Sequence, residues 1–297
     1  MSSYLKKHYP NVITTKDFIF AKGEIPVALV AHLDTVFAET ATDVYYDKEK
    51  NVIWSPQGLG ADDRAGVFAI IKLIRRGYRP HIILTTDEEL GALGAKNFIK
   101  SYPKDRIKEL DIKYIIQLDR RGTNDCVFYD CENSDFVQYV ESFGFIENWG
   151  SFSDISIICP AWEVAGVNLS VGYEDEHSLV ETFHITPFLA TVKKVAKMLE
   201  DIDNAPYFKY IPAKTYKYIG NVLNWDEELK CSKCGHFFNE YEMFPVKSLT
   251  GTTKFLCPEC LILNAEWCET CNEAFELEVG SHEKLCKDCR GKVKCKV

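Results

Sequence analysis

Over residues 1–204, short unbroken apolar runs alternate with stretches in which apolar residues recur every three or four positions. Buried strands should therefore alternate with one-sided helices. Val27-Ala28-Leu29-Val30-Ala31 reads as a buried strand ending in His32-Leu33-Asp34, and Val44–Trp54 as a hairpin turning at Asp47–Asn51. Val67, Ile70, Ile71 and Ile74 place a helix over Asp62–Arg76, closed by Gly77. His81–Thr86, Tyr114–Leu118, Cys126–Tyr129 and Val167–Val171 are further strands, and Ala92–Tyr102 and Ser134–Phe143 further helices. Thr186-Pro187 should open a last helix running to about Asp201, with Thr186 as its N-cap and Pro187 at the first helical position. Strands alternating with helices predict an α/β three-layer sandwich around a mostly parallel central sheet.

The pattern breaks after Asn204. Residues 205–229 are aromatic and Lys-rich, with Pro206 and Pro212, and read as a linker that partly docks on the body. Beyond it the chain is dominated by cysteine. Of 12 cysteines, only Cys126, Cys131 and Cys159 precede residue 205, and eight of the rest form four C-x-x-C pairs. The chain carries 35 Lys plus Arg against 44 Asp plus Glu, a net charge of −9, which weighs against a whole-chain nucleic-acid binder. A 46% apolar content excludes wholesale disorder. No apolar run of about 18 residues predicts a membrane span, and Met1–His8 lacks the apolar stretch of a signal peptide. The expected location is the cytoplasm, where paired cysteines hold metal rather than form disulfides.

Polar residues gather where the predicted strands end: His32 and Asp34, Asp62 and Asp63, Glu88 and Glu89, Asp119, and His177. That edge is where open α/β sheets bind ligands, and His with Asp and Glu is a donor set for hydrolytic zinc. Five ligands with one shared carboxylate can hold two ions about 3.5–4 Å apart.

The segments Ala31-His32-Leu33-Asp34-Thr35-Val36, Gly60-Ala61-Asp62-Asp63-Arg64-Ala65-Gly66, Thr86-Asp87-Glu88-Glu89-Leu90-Gly91, Leu118-Asp119 and His177-Ser178-Leu179-Val180-Glu181 follow one another in order. This series resembles the M20/M28 dinuclear zinc exopeptidases and their amidase relatives, over about residues 25–202. The resemblance implies that His32 and Asp119 bind one zinc, that Glu89 and His177 bind the other, and that Asp62 bridges both, with a cis peptide between Asp62 and Asp63. It further implies a catalytic role for Glu88 as general base. Asp34 would accept the second ring N–H of His32 and fix that ring's tautomer.

M20 enzymes carry a lid inserted between the fourth and fifth motifs. Only 57 residues separate Asp119 from His177 here, too few for a lid of about 100 residues, so a lidless body of M28 type is expected. Arg120 and Arg121 are candidates for the carboxylate-binding residues a lid would supply.

In the tail, Cys231/Cys234 and Cys257/Cys260 are separated by 22 residues, and Cys268/Cys271 and Cys286/Cys289 by 14. Each turn presents two thiolates to one ion, so two turns complete a tetrahedral structural zinc site. Sequential pairing gives two zinc ribbons, at 230–262 and 263–297, and is favoured because each gap holds its own hairpin-like segment. Crossed pairing would give a RING-like brace. Cys295 is left over. From residue 205 onward 13 basic side chains balance 13 acidic ones, which offers little for non-specific DNA binding.

These readings converge on a lidless dinuclear zinc hydrolase domain (1–204) with a four-cysteine zinc-ribbon tail, holding two catalytic and two structural Zn2+. The expected substrate is a peptide or small amide, cut as by an aminopeptidase-like exopeptidase. The rivals are an amidase or deacylase acting on a non-peptide amide, and a non-catalytic binding protein that meets a protein or nucleic acid through its ribbons.

Overall fold

Val27, Leu29 and Ala31 enter one apolar layer and Ala28 and Val30 the other, the two-residue period of a strand buried on both faces. Ile82 and Leu84 against Ile83, and Tyr114, Ile116 and Leu118 against Ile115, repeat it. The computed structural model describes residues 1–213, 229–238, 243–249, 252–268, 270, 274–277, 284–287 and 289–290. The chain divides into two compact units, Met1–Thr215 and Tyr216–Val297.

The first unit, the body, runs α1 (Ser2–Leu5), β1 (Val12–Thr14), β2 (Phe18–Ala21), β3 (Ile25–His32), β4 (Tyr45–Asp47), β5 (Val52–Trp54), α2 (Ala61–Arg75), β6 (Pro80–Thr85), α3 (Leu93–Ser101) and α4 (Lys104–Ile107). It continues through β7 (Tyr114–Arg120), β8 (Asp125–Val127), α5 (Ser134–Ser142), β9 (Ile146–Glu147), α6 (Ile155–Trp162), β10 (Gly166–Ser170), β11 (Tyr173–Glu174), β12 (Thr182–His184) and α7 (Ile185–Glu200). The main sheet has the order β1-β2-β6-β3-β7-β10-β8-β9. Its centre, β6-β3-β7-β10, is parallel, while β1-β2, β2-β6 and β10-β8 pair antiparallel. Residues of α2, α5 and α7 pack in one layer, and residues of α3, α4 and α6 in the other, completing the three-layer sandwich. A second, antiparallel sheet has the order β11-β12-β5-β4.

Between Asp119 and His177 the chain spends itself on β8, α5, β9, α6 and β10, all built into the sandwich, and on β11 of the second sheet, so no lid domain is inserted. Gly66 lets α2 approach β7: a Cβ there would lie 1.9 Å from the Leu118 carbonyl oxygen.

The structure corrects the last helix. It starts at Ile185, directly from β12, with His184 in the N-cap position. Thr186 is inside the helix, its Oγ1 accepting a hydrogen bond from Asn51 Nδ2 at 2.8 Å. Pro187 is the third helical residue, where no intrahelical N–H bond is forfeited. Among the elements that escaped the sequence pattern are the antiparallel β1-β2 edge, the β11-β12 pair, and α6, whose helical reading Pro160 obscures. Residues beyond Asn204 continue on the body. Phe208 is buried against Tyr114, Phe136 and Tyr139, Lys209 bridges Val164, and Pro212 bridges Cys131.

The second unit holds β13 (Leu229–Lys230), β14 (Phe237–Phe238), β15 (Phe244–Lys247), β16 (Thr253–Leu256), α8 (Pro258–Asn264), β17 (Ala265–Trp267) and β18 (Ala274–Glu276). One sheet, β16-β15-β18-β17, joins its two halves through the parallel β15-β18 pair. Lys254 Nζ adds an ion pair to Glu276 at 3.0 Å. The halves therefore share a sheet, consistent with the little apolar core either half has. No helix among the described residues is long and apolar enough to cross a membrane.

Candidate active site

The carboxyl ends of β3, β6 and β7 deliver His32, Glu88 with Glu89, and Asp119 to one place. The start of α2 adds Asp62, and the β11–β12 loop adds His177, whose backbone is left-handed at φ 63°. The bond between Asp62 and Asp63 is cis. His32 Nε2 lies 3.0 Å from Asp62 Oδ1 and 3.4 Å from Asp119 Oδ1. His177 Nε2 lies 3.2 Å from Asp62 Oδ2 and 3.0 Å from Glu89 Oε1. The five residues thus form two clusters that share Asp62, one oxygen of its carboxylate turned to each.

These donors fit metal. Ligand atoms about 2.05 Å from a tetrahedral zinc are separated by about 3.3 Å, and the four separations lie around that value. Glu89 Oε1 is buried and makes no hydrogen bond despite its closeness to His177, as befits two donors aimed at a common point rather than at each other. The charge balance agrees, because Asp62, Asp63, Glu88, Glu89 and Asp119 crowd around only two imidazoles. Burial, then the Asp62 charge, pushes Asp119 up to about 6. Burial, then Asp119, pushes Glu88 up to about 9. The hydrogen bond to Asp62 raises His177 to about 9. Carboxylates so close together need cations to stay ionised.

Neighbouring side chains hold the donors in place. Asp34 Oδ1 lies 3.3 Å from His32 Nδ1, and its Oδ2 accepts the Glu89 N–H at 3.2 Å, so Asp34 ties the first and third motif loops together. Burial works to raise Asp34, but His32 holds it below the usual carboxylate range. Asp63, fully buried, accepts from the backbone N–H of His32 at 3.2 Å and of Gly66 at 2.9 Å.

Sequence reasoning left several supporting residues without a role. Glu181 is fully buried and accepts from the backbone N–H groups of Gly60, Ala61 and Asp62. Asp119 accepts from Gln117 Nε2 and Ser153 Oγ, both at 2.9 Å, and from Tyr173 at 3.2 Å, while Asn168 Oδ1 takes its backbone N–H at 2.9 Å. Asp154, fully buried, accepts from Thr85 Oγ1, and burial raises it to about 7. A signal for Gln117 and Asn168 was present: each is a polar residue inside an otherwise apolar buried run.

In the tail, Cys231, Cys234, Cys257 and Cys260 come together in one group, and Cys268, Cys286 and Cys289 in another. Within each group the ligand atoms lie within 4.8 Å of one another. Cys271 and Cys295 lie outside the described residues.

Residues 18–140 match the model of peptidase family M28. That span contains four of the five motif loops, and His177 follows it. Over this span the body is a hydrolase of the peptidase type. No curated protein sequence matches the chain. Among solved structures, aminopeptidase PepT from Bacillus cereus ATCC 10987 is similar at TM-score 0.55 and 15% identity, covering 68% of this chain and 92% of that one. A tripeptidase from Staphylococcus aureus subsp. aureus Mu50 gives 0.55 and 13% over the same shares. The TET aminopeptidase of the marine sediment archaeon Thaumarchaeota archaeon SCGC AB-539-E09 gives 0.52 and 11%, again over 68% and 92%. At these identities the likeness is one of fold.

Proposed function

We propose that the body is a dinuclear zinc exopeptidase that removes residues from the amino end of peptides. The observation that carries this reading is Asp62, whose two carboxylate oxygens face two separate donor clusters. In this reading His32 and Asp119 hold one ion, Glu89 and His177 the other, and Asp62 spans both. When bound, the ions supply Lewis acidity to the scissile carbonyl and acidify a water toward a pKa of about 7. Glu88 lines the same cavity, yet belongs to neither donor cluster. Its carboxylate is free to take the proton of the attacking water and return it to the departing amine. Asp34 keeps the His32 ring in one orientation, its backbone carbonyl 3.1 Å and its carboxylate 3.3 Å from His32 Nδ1. The tail cysteines, in the same proposal, hold two further zinc ions with a structural role.

The test is elemental analysis of purified protein combined with hydrolysis of free and N-acetylated peptides. Four zinc ions per chain and cleavage confined to peptides with a free amino end are expected. Cleavage of N-acyl substrates alone would replace the exopeptidase with an amidase. A stoichiometry of two, all in the tail, would leave the body without its catalytic metals.

A further inference from the structure

The cavity beside the donor clusters has a volume of about 180 Å3, and its lining also includes Arg120, Arg121, Phe152 and Glu176. The two arginines differ. Arg121 is neutralised, with Nη1 2.8 Å from Glu176 Oε1. Arg120 has no carboxylate partner among the described residues. It donates one hydrogen bond, from Nη2 to the Trp149 carbonyl at 3.1 Å, and its Nε is buried without a partner. A guanidinium is charged at every working pH and offers a planar fork of donors matched to carboxylate. Burying such a donor unpaired is costly unless an anion completes it.

We propose that Arg120 binds a carboxylate of the substrate next to the scissile amide, so that the enzyme prefers short peptides carrying an anionic group at that position. This rests on the exopeptidase reading above. Arg120 immediately follows Asp119, at the end of β7, so an anion held there lies within one small cavity of the donor clusters. The carboxylate has two sources: the acidic side chain of the first residue, or the free carboxyl end of a dipeptide.

Four substrates offered to the full-length, metal-loaded protein separate these sources. Glutamyl- against glutaminyl-p-nitroanilide varies the side chain, and Leu-Gly against Leu-Gly-amide varies the carboxyl end. In one pair kcat/KM should be about 10- to 100-fold higher for the anionic member, the scale of a charge-assisted hydrogen bond. Arg120→Gln should bring that ratio toward one, Arg120→Lys should retain part of it, and Arg121→Gln should leave it in place. Equal rates within both pairs for the wild-type protein would overturn the proposal, and that comparison needs no variant to fold. Hydrolysis of none of the four would instead refute the exopeptidase reading beneath it.

Discussion

The Glu181 carboxylate accepts a hydrogen bond from the backbone N–H of Asp62 at 3.1 Å. The same carboxylate takes the N–H groups of Gly60 and Ala61, and it stands four residues after His177. One buried acid thus fastens the turn carrying the shared ligand to the loop carrying the second histidine. Glu181→Ala should leave these N–H groups unpaired, at about 1–3 kcal/mol for each that stays buried. The variant should lose zinc to a chelator faster than wild type, while Glu181→Gln, which keeps one acceptor oxygen, should fall between. Unchanged zinc retention and thermal midpoint in Glu181→Ala would show that the turn holds its shape alone.

Glu88 and Glu89 are neighbours with different surroundings, and their Gln variants should separate. Glu88→Gln removes a proton acceptor outside both donor clusters, so activity should fall by about 10² or more with body zinc retained. Glu89→Gln removes a donor beside His177 and should lose zinc as well as activity. Equal zinc contents in the two variants would contradict this division.

The donor clusters and their supports all precede residue 205, and the body continues to Thr215. A fragment ending at Thr215 should hold two zinc ions and keep the hydrolysis of a small peptide. A cut at Asn204 would remove Phe208 from its aromatic neighbours and should lower the thermal midpoint. A folded, zinc-loaded fragment to Thr215 without activity would mean that the tail contributes to the active site.

Asp154 makes stability depend on pH. Burial raises its folded value from 3.8 to about 7, so between those values the folded chain keeps a proton that the unfolded chain has released. Stability therefore falls as pH rises through that window and stays reduced above it. Asp154→Asn should match wild type near pH 4 and exceed it at pH 8 by a few kcal/mol at most, one pKa unit being worth about 1.36 kcal/mol. Urea unfolding at both pH values, at equal metal content, measures this. A variant less stable than wild type at pH 8 would show that the charged carboxylate is preferred there.

The sequence by itself determined what depends on local period and spacing. The largely apolar runs at 27–31, 81–86 and 114–118 read as strands, and the polar residues at their ends named His32, Glu88, Glu89 and Asp119. The C-x-x-C spacing likewise placed two thiolates on each turn. The resemblance to known zinc exopeptidases also carried the expectation that Asp62 serves both donor pairs. Only the tertiary structure decided what no motif encodes: that Glu181 reaches back about 120 residues to the turn before α2, and that Arg121 faces a carboxylate while Arg120 meets none among the described residues. The antiparallel β1-β2 edge and the Thr186 contact with Asn51 were hidden for the same reason. A hydrogen bond is satisfied by whichever donor and acceptor the packed layers bring together, and burial raises the cost of leaving either unpaired.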